Sequence, residues 1–235
     1  MKLYLVRHGA STGNTPGNLI GHSDHSLTAA GEVQARSVAG RLARLGPMPV
    51  FCSDLPRARE TAECIASVWR GDGRAGEVTP DERLREIHLG EFEGRSWDDF
   101  LADTALGARL EADPFHTPLP GGESLAELQR RVLAAVRDIV DSGAALAAVG
   151  GTDEAPTAGA PQATPVACLV SHDGPIRCVV NHYLGVPPEK WWTLSTTHGG
   201  VSLIEFAGGC VTIRYVNATG HLDGLEADKY VPSDE

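Results

Sequence analysis

The sequence predicts a three-layer α/β/α sandwich with a mostly parallel central sheet, in a single domain over residues 1–235. Short apolar runs, typical of buried strands, alternate with longer segments whose apolar residues recur at steps of three and four. Three of these runs end in polar clusters, which places polar side chains at one edge of the sheet. A chain of 235 residues, 42% of them hydrophobic, is long enough to bury a full core.

The first half of the chain begins with a well-marked strand. Residues 3–6 are apolar and lead into a loop at Gly9, which indicates a buried strand. Thr28 precedes a segment with an apolar stripe and is predicted to be the N-cap of its helix. Residues 50–52 read as a second strand, and Pro56 suits the first turn of the helix that follows.

The middle of the chain is less regular. A strand is expected near Val78 and a short helix over residues 97–101. Residues 84–94 show no clean period, which is typical of an irregular functional loop. Residues 95–120 are predicted to form a cap-like insertion over a site. A strong apolar stripe then predicts a helix through residues 125–139.

The last third of the chain returns to strands. Residues 143–165 are rich in Ala, Gly, Pro and Thr, and we predict a flexible loop inserted within the domain. Residues 166–170 form a buried strand, and a helix is predicted over residues 176–184. Residues 201–206 and 210–216 read as a final hairpin around two glycines.

Composition limits the partners and the location that we expect. The net charge of -11 argues against a nucleic-acid or anionic-membrane partner, although it leaves room for a local cationic pocket. The N-terminus has four consecutive apolar residues, too few for a signal peptide or an anchor, and no segment approaches the roughly 20 apolar residues of a membrane span. We therefore expect a cytoplasmic protein. Its oligomeric state, monomer or homodimer, is left open by the sequence.

Three polar clusters fall at the ends of predicted strands: Arg7 with His8, residues 53–57, and Ser171 with His172. These clusters are expected to meet, because ligands of open α/β sheets bind outside the carboxyl ends of the strands. Arginine suits phosphate, since its planar guanidinium donates two parallel hydrogen bonds and stays charged. Two of the clusters also open helices, whose N-termini favour an anion. The sequence therefore predicts a cationic pocket for a dianion.

Other readings of these residues are weaker. Taken alone, the turn at Arg7 and His8 would indicate only the end of a strand. Residues 22–25 contain two histidines and an aspartate, but a third and a fourth ligand at a spacing suitable for a metal ion are not found, so no metal site is predicted. The five cysteines are scattered and without a C-x-x-C pair, which favours neither a disulfide framework nor a zinc site.

Five segments, in this order and at comparable spacing, resemble motifs of the histidine phosphatase (phosphoglycerate-mutase-like) superfamily. They are residues 5–9 with Ser11 and Asn14, residues 53–62, residues 84–94, residues 121–124 and residues 170–177. Any one segment is weakly specific, whereas all five together are highly specific. The resemblance covers most of the chain and favours the phosphatase branch.

The resemblance implies a role for each matching catalytic residue. His8 would attack phosphorus and form a phosphohistidine, which divides one displacement into two. Arg7, Arg57 and His172 would hold the phosphoryl oxygens and spread the charge of the transition state. Glu86 would protonate the leaving alkoxide and then take a proton from the attacking water, so its pKa must be raised.

Five further residues are predicted to contact the substrate or its phosphate. Ser11 and Asn14 offer polar donors, and Gly21 with His22 is expected on a rim loop. Ser11 stands where the family more often has Thr and keeps the hydroxyl. Asp173 stands where Gly is more usual: its N–H remains, but its carboxylate would repel a phosphate unless it points away.

The leading hypothesis is a metal-independent phosphoric monoester hydrolase, without a cofactor, that acts on a small phosphorylated metabolite. A phosphoglycerate mutase with the same nucleophile is the nearest alternative. It is weakened because residues 15–22 and 172–177 differ from the family's mutase motifs, and residues 97–120 offer Arg109 as the one cation. A non-catalytic phospho-ligand binding protein is a third possibility, which would predict loss of His8 or Glu86.

Overall fold

The structure, a computed structural model, describes residues 1–15, 17–70, 77–149 and 164–225, with the backbone alone for residues 144–149. Its strands are β1 (Lys2–Arg7), β2 (Val50–Cys52), β3 (Val78–Pro80), β4 (Val166–Ser171), β5 (Val201–Ala207) and β6 (Cys210–Ala218). They form one sheet in the order β3-β2-β4-β1-β5-β6. The predicted final hairpin is confirmed as β5 and β6.

The sheet is mostly parallel, as predicted. Strands β1 to β4 run parallel to one another, whereas β5 and β6 pair antiparallel at the edge. Strand β4 lies between β1 and β2, with Ser171 beside Arg7 and Val170 beside Cys52. The carboxyl ends of these three strands therefore meet at one edge of the sheet.

Helices cover both faces of the sheet and confirm the three-layer sandwich. They are α1 (Ala29–Ala43), α2 (Pro56–Ser67), α3 (Trp97–Ala102), α4 (Thr104–Ala112), α5 (Leu125–Val149) and α6 (Asp173–Leu184). In β1, Tyr4 and Val6 pack against α1 and α2, while Leu3 and Leu5 pack against α5 and α6. This alternation follows from the two-residue period of a strand that is buried on both faces.

The predicted N-cap of α1 is confirmed. The Thr28 hydroxyl accepts a hydrogen bond from the backbone N–H of Gly31 at 3.0 Å. The same hydroxyl donates to the carbonyl of Ala10 at 3.2 Å. The cap therefore joins the first turn of α1 to the loop that follows β1.

The segment of residues 95–120 contains helix α4 as well as the short helix α3. The sequence did not reveal α4, whose N-cap Asp103 accepts a hydrogen bond from the N–H of Leu106. Leu106 lies in a small hydrophobic cluster with Leu19 and Phe92, away from the two main cores. The segment therefore packs on the loops that follow β1 and β3, and its role as a cap stays a prediction.

Two predicted boundaries need correction. Helix α5 runs to Val149, so residues 143–149 are helical and are not part of the predicted flexible loop. Their alanine-rich sequence favours a helix. Residues 150–163 of that loop lie outside the described residues. Helix α6 begins at Asp173, three residues before the prediction, because Pro175 is compatible with a first helical turn.

No helix in the described ranges is both long and apolar enough to cross a membrane.

Candidate active site

The turn after β1 packs against the start of helix α1 without room for a side chain. A Cβ on Gly9 would lie 2.4 Å from the carbonyl oxygen of Gly31, and a Cβ on Gly31 would lie 1.9 Å from that of Ala10. Both approaches are closer than any carbon side chain tolerates. The two glycines therefore let α1 set the position of the backbone next to His8.

This contact predicts different outcomes for two glycines of α1. Gly31→Ala must displace the helix or the loop, so we expect a lower melting temperature and a kcat reduced roughly 10-fold or more. Gly40→Ala is the matched control: it meets nothing within 4 Å and should stabilise the protein by about 1 kcal/mol at unchanged kcat. Thermal melting and para-nitrophenyl phosphate hydrolysis measure both effects. Full activity in Gly31→Ala would contradict the proposed coupling.

His8 is held in one tautomer. Its Nδ1 lies 2.6 Å from the carbonyl oxygen of Gly9, and because a carbonyl only accepts, Nδ1 carries the proton. The lone pair is therefore on Nε2. Burial lowers the pKa of His8 well below its ordinary value, and the nearby His172 adds to this shift. His8 is thus a neutral imidazole with a nucleophilic Nε2.

His172, the N-cap residue of α6, lies edge-on to His8 with ring centroids 4.9 Å apart. Its Nε2 is 2.9 Å from the hydroxyl of Ser53, which already accepts the N–H of Leu55 at 3.3 Å. The Ser53 hydroxyl can then donate to Nε2, which leaves the ring proton on Nδ1. That Nδ1 is buried and has no hydrogen-bond partner among the described residues. Burial lowers the pKa of His172, and even so its neutral ring retains one N–H to donate.

Arg7 and Arg57 bring two positive charges to the same edge of the sheet. Arg57 is 1% exposed and donates to the carbonyls of Ser23 at 2.9 Å and Gly21 at 2.7 Å. Arg7 donates to the carbonyl of Thr196, while its Nε is buried without a partner in the described part of the chain. Burial lowers the pKa of Arg57 from its ordinary value, although arginine stays charged. Arg57 is held by neutral carbonyls, which do not cancel its charge, whereas Arg7 also faces the carboxylate of Asp173 at 3.8 Å.

The pKa values of two carboxyl groups near the site are shifted in opposite directions. Burial raises the pKa of Glu86, and the charge of Asp173 adds to this, against the N–H groups of Ile87 and Gly174. Burial acts in the same direction on Glu93, yet the donors around it lower its pKa below the ordinary value. Those donors are the N–H groups of Gly21, His22 and Leu89 and the hydroxyl of Ser23. Glu86 is therefore the carboxyl suited to carry a proton.

The residues predicted to contact the substrate differ in the hydrogen bonds that they make within the protein. Asn14 accepts the N–H and the hydroxyl of Ser11 through Oδ1, which leaves its amide N–H groups for a ligand. Gly21 is tied to Arg57 and Glu93 through its backbone. His22 binds the carbonyl of Glu86 through Nε2 at 2.8 Å. Gly21 and His22 thus support the groups beside them, and their contact with a substrate stays a prediction.

Asp173 directs its carboxylate onto protein groups. Oδ1 accepts the N–H and the hydroxyl of Thr196, at 2.8 and 2.7 Å, and Oδ2 pairs with Arg177 at 2.8 Å. Arg7 is 3.8 Å from Oδ1. These partners neutralise the carboxylate that the sequence placed beside a phosphate. Its backbone N–H, at the start of α6, is the group that suits an anion.

The structure adds one residue that the sequence analysis missed. His198 is 8% exposed, and its ring centroid lies 5.3 Å from that of His8. Burial lowers its pKa to about 2, with the charges of Arg7 and Arg57 acting in the same direction. His198 precedes the antiparallel strand β5, which begins where β1 ends. The pairing of β5 with β1 brings His198 to the site, and no local sequence pattern predicts that pairing.

Within the described ranges, no three His, Cys, Asp or Glu side chains are grouped so that they could hold a metal ion. The positive charge of this site comes from Arg7 and Arg57. The site thus combines a neutral nucleophile, two cations, neutral N–H donors and one protonatable carboxyl, which are the parts that phosphoryl transfer requires.

Comparison with known proteins agrees with this chemistry. A family model described as histidine phosphatase superfamily (branch 1) matches residues 3–219. A protein of Salmonella paratyphi C (strain RKS4594), named "Probable phosphoglycerate mutase GpmB", is 32% identical over 236 residues, which covers 97% of this chain and 98% of that protein.

Two solved structures are also similar over most of their length. The alpha-ribazole phosphatase from Shigella flexneri has a TM-score of 0.73 and 25% identity, over 93% of this chain and 96% of that chain. A mycobacterial glucosyl-3-phosphoglycerate phosphatase, in complex with inorganic phosphate, has a TM-score of 0.72 and 27% identity, over 92% of this chain and 97% of that chain.

Proposed function

Because this chain belongs to the histidine phosphatase superfamily (branch 1), we propose that it is a metal-independent phosphomonoesterase acting through a phosphohistidine. The observation that carries the proposal is the meeting of His8, His172, Arg7 and Arg57 at the carboxyl edge of the sheet. The substrate class is a small phosphorylated metabolite. The electrostatic work that a metal ion performs in other phosphatases is assigned to the two arginines.

The first step is attack of His8 Nε2 on phosphorus. The bond from Nε2 to phosphorus forms while the bond from phosphorus to the ester oxygen breaks, with the two reacting groups in line. The carbonyl of Gly9 holds the Nδ1 proton and supports the positive charge that develops on the ring. The low pKa of His8 keeps Nε2 unprotonated at neutral and weakly acidic pH, so the nucleophile needs no base to activate it.

Arg7, Arg57 and the Nδ1–H of His172 hold the phosphoryl oxygens during this step. The Nε of Arg7 and the Nδ1 of His172 have no hydrogen-bond partner among the residues that the structure describes, which supports this assignment, because buried polar groups are normally hydrogen-bonded. Both neighbouring cations favour the extra negative charge of the transition state. The backbone N–H groups at the start of α6 add neutral donors.

Glu86 gives its proton to the leaving oxygen and so carries out the general-acid half of the reaction. In the second step it takes a proton from water, which attacks the phosphohistidine and releases inorganic phosphate and neutral His8. The raised pKa of Glu86 suits the first role, and Glu93 is unsuited to it because its surrounding donors favour the ionised form.

A mutase would use the same first step but return the phosphoryl group to a phosphoglycerate. Two observations favour the hydrolase. The segment of residues 97–120 contains a single arginine, Arg109, which is exposed on α4, whereas a mutase must also hold the carboxylate of its substrate. The two similar solved structures are phosphatases. The name of the Salmonella relative keeps the mutase as the second candidate.

The two candidates differ in one measurement. We expect para-nitrophenyl phosphate to be hydrolysed in the presence of a metal chelator, and 2,3-bisphosphoglycerate to leave the interconversion of phosphoglycerate isomers unstimulated. The reason is that Arg109 is the one arginine or lysine that residues 97–120 offer for a substrate carboxylate. Coupled assays with either phosphoglycerate isomer measure the interconversion. Robust stimulation by the bisphosphate would instead establish the mutase.

A further inference from the structure

Glu86 lies on a segment that is not held by the regular backbone hydrogen bonds of a helix or a strand. Residues 82–84 form one short 3₁₀ turn, and the chain then runs irregularly to residue 90. Backbone carbonyls in such a segment must find partners elsewhere in the protein. A general acid also needs a fixed position, because an error of about 1 Å in placement costs up to roughly 100-fold in rate.

A single side chain of α5 satisfies three of these carbonyls. Arg131 donates through one terminal nitrogen to the carbonyls of Arg83 at 2.8 Å and Arg85 at 2.7 Å. Its other terminal nitrogen donates to the carbonyl of Glu86 at 2.7 Å. The planar guanidinium therefore spans the backbone on both sides of the Glu86 Cα.

Glu123 fixes this guanidinium and the far end of the same segment. Its carboxylate accepts the Nε–H of Arg131 at 3.0 Å and the N–H of His88 at 2.8 Å. Its own N–H donates to the carbonyl of His88 at 3.0 Å. The Glu123 and Arg131 side chains are only 15% and 20% exposed, so the pair is shielded from water.

We propose that Arg131 and Glu123 form a positioning pair that sets where the Glu86 carboxyl meets the leaving oxygen of the substrate. The inference rests on the proposed function, since it takes Glu86 to be the general acid. Neither partner is assigned a contact with the reacting atoms. The carboxyl itself is aimed by the N–H groups of Ile87 and Gly174, while the pair places the backbone that carries it.

This role predicts a dependence on the leaving group. A nitrophenolate leaves without a proton, whereas an alkoxide needs one, so a misplaced acid slows alkyl phosphates far more than para-nitrophenyl phosphate. The ratio kcat/KM isolates phosphoryl transfer to His8 from the later hydrolysis of the phosphohistidine. A merely structural role for the pair would instead lower kcat/KM equally for every leaving group.

The test measures kcat/KM for para-nitrophenyl, phenyl and alkyl phosphates in Arg131→Met, Arg131→Lys and Glu123→Gln, each checked by thermal melting. We expect Arg131→Met to lose roughly 10- to 100-fold on the alkyl phosphate and less than about threefold on para-nitrophenyl phosphate. Arg131→Lys should lie between wild type and Arg131→Met. Arg131→Lys keeps a hydrogen-bond donor, and Glu123→Gln keeps the shape of the side chain. These two variants therefore provide the leaving-group dependence if Arg131→Met fails to fold.

Arg83→Met is the matched control, because this arginine lies on the same segment but directs its side chain to Asp81 and Asp138 at the surface. It should leave the leaving-group dependence unchanged. A loss that is equal for all leaving groups in folded Arg131 and Glu123 variants, or no loss, would overturn the positioning role. The same series of substrates on Glu86→Gln separates the positioning role of the pair from the general-acid role of Glu86. If Glu86→Gln loses the same factor in kcat/KM for every leaving group, Glu86 is not the general acid.

Discussion

Replacing His8 with glutamine is expected to lower kcat for para-nitrophenyl phosphate by at least about 10⁴-fold. The carboxamide keeps hydrogen-bonding capacity at this buried position but cannot accept a phosphoryl group. Steady-state hydrolysis at saturating substrate measures the loss. Because His8 is 3% exposed, circular dichroism and thermal melting of the variant are measured with it to establish that the fold is retained.

The control for this substitution is His182→Gln, at an exposed histidine near the end of α6. It changes the same residue type far along the helix from His172 and should keep the activity of wild type. A folded His8→Gln protein that retains more than about one hundredth of the wild-type kcat would contradict the assignment of the nucleophile.

The second large effect is expected at Glu86. Glu86→Gln should lower kcat/KM for an alkyl phosphate by about 10²- to 10⁴-fold, because the amide cannot protonate the leaving oxygen. The raised pKa of Glu86 also predicts a pH dependence. The acid is protonated below that pKa, so activity falls as pH rises through it, while the low pKa of His8 keeps the nucleophile active into acidic pH.

A pH profile of kcat/KM for wild type and Glu86→Gln measures this fall in activity with rising pH. The decline on the alkaline side that belongs to Glu86 should be absent from the variant. Glu91→Gln is the matched control, since this exposed carboxylate lies on the same segment and should change neither the rate nor the profile. An unchanged alkaline limb in Glu86→Gln would mean that another group supplies the proton.

The local sequence was sufficient to predict the parts of the site that lie next to regular elements. Arg7 and His8 follow an apolar run, and His172 follows another, so their place at strand ends could be read directly. The parallel register of β1, β4 and β2 then brings those ends together. Thr28 was predictable as an N-cap because its preference is local.

The rest depends on contacts between residues distant in sequence. His198 reaches His8 because β5 pairs antiparallel with β1, and no local pattern announces that pairing. The role of Glu123 likewise cannot be predicted from its neighbours in the sequence, because its carboxylate binds Arg131 and the backbone of His88. Helix α4 was missed because its stripe is short and packs on a satellite cluster around Leu106.

Trapping the phosphoryl group on the enzyme tests most directly whether His8 is the nucleophile. The protein is mixed with a ³²P-labelled phosphomonoester, quenched in alkali, which preserves phosphohistidine, and mapped by peptide mass spectrometry. We expect an acid-labile phosphoryl group on His8 at Nε2, absent from His8→Gln, and overall retention of configuration at a chiral phosphorus. A phosphoryl group on another residue, or turnover without a phosphoenzyme and with inversion at phosphorus, would contradict the role of His8 as nucleophile.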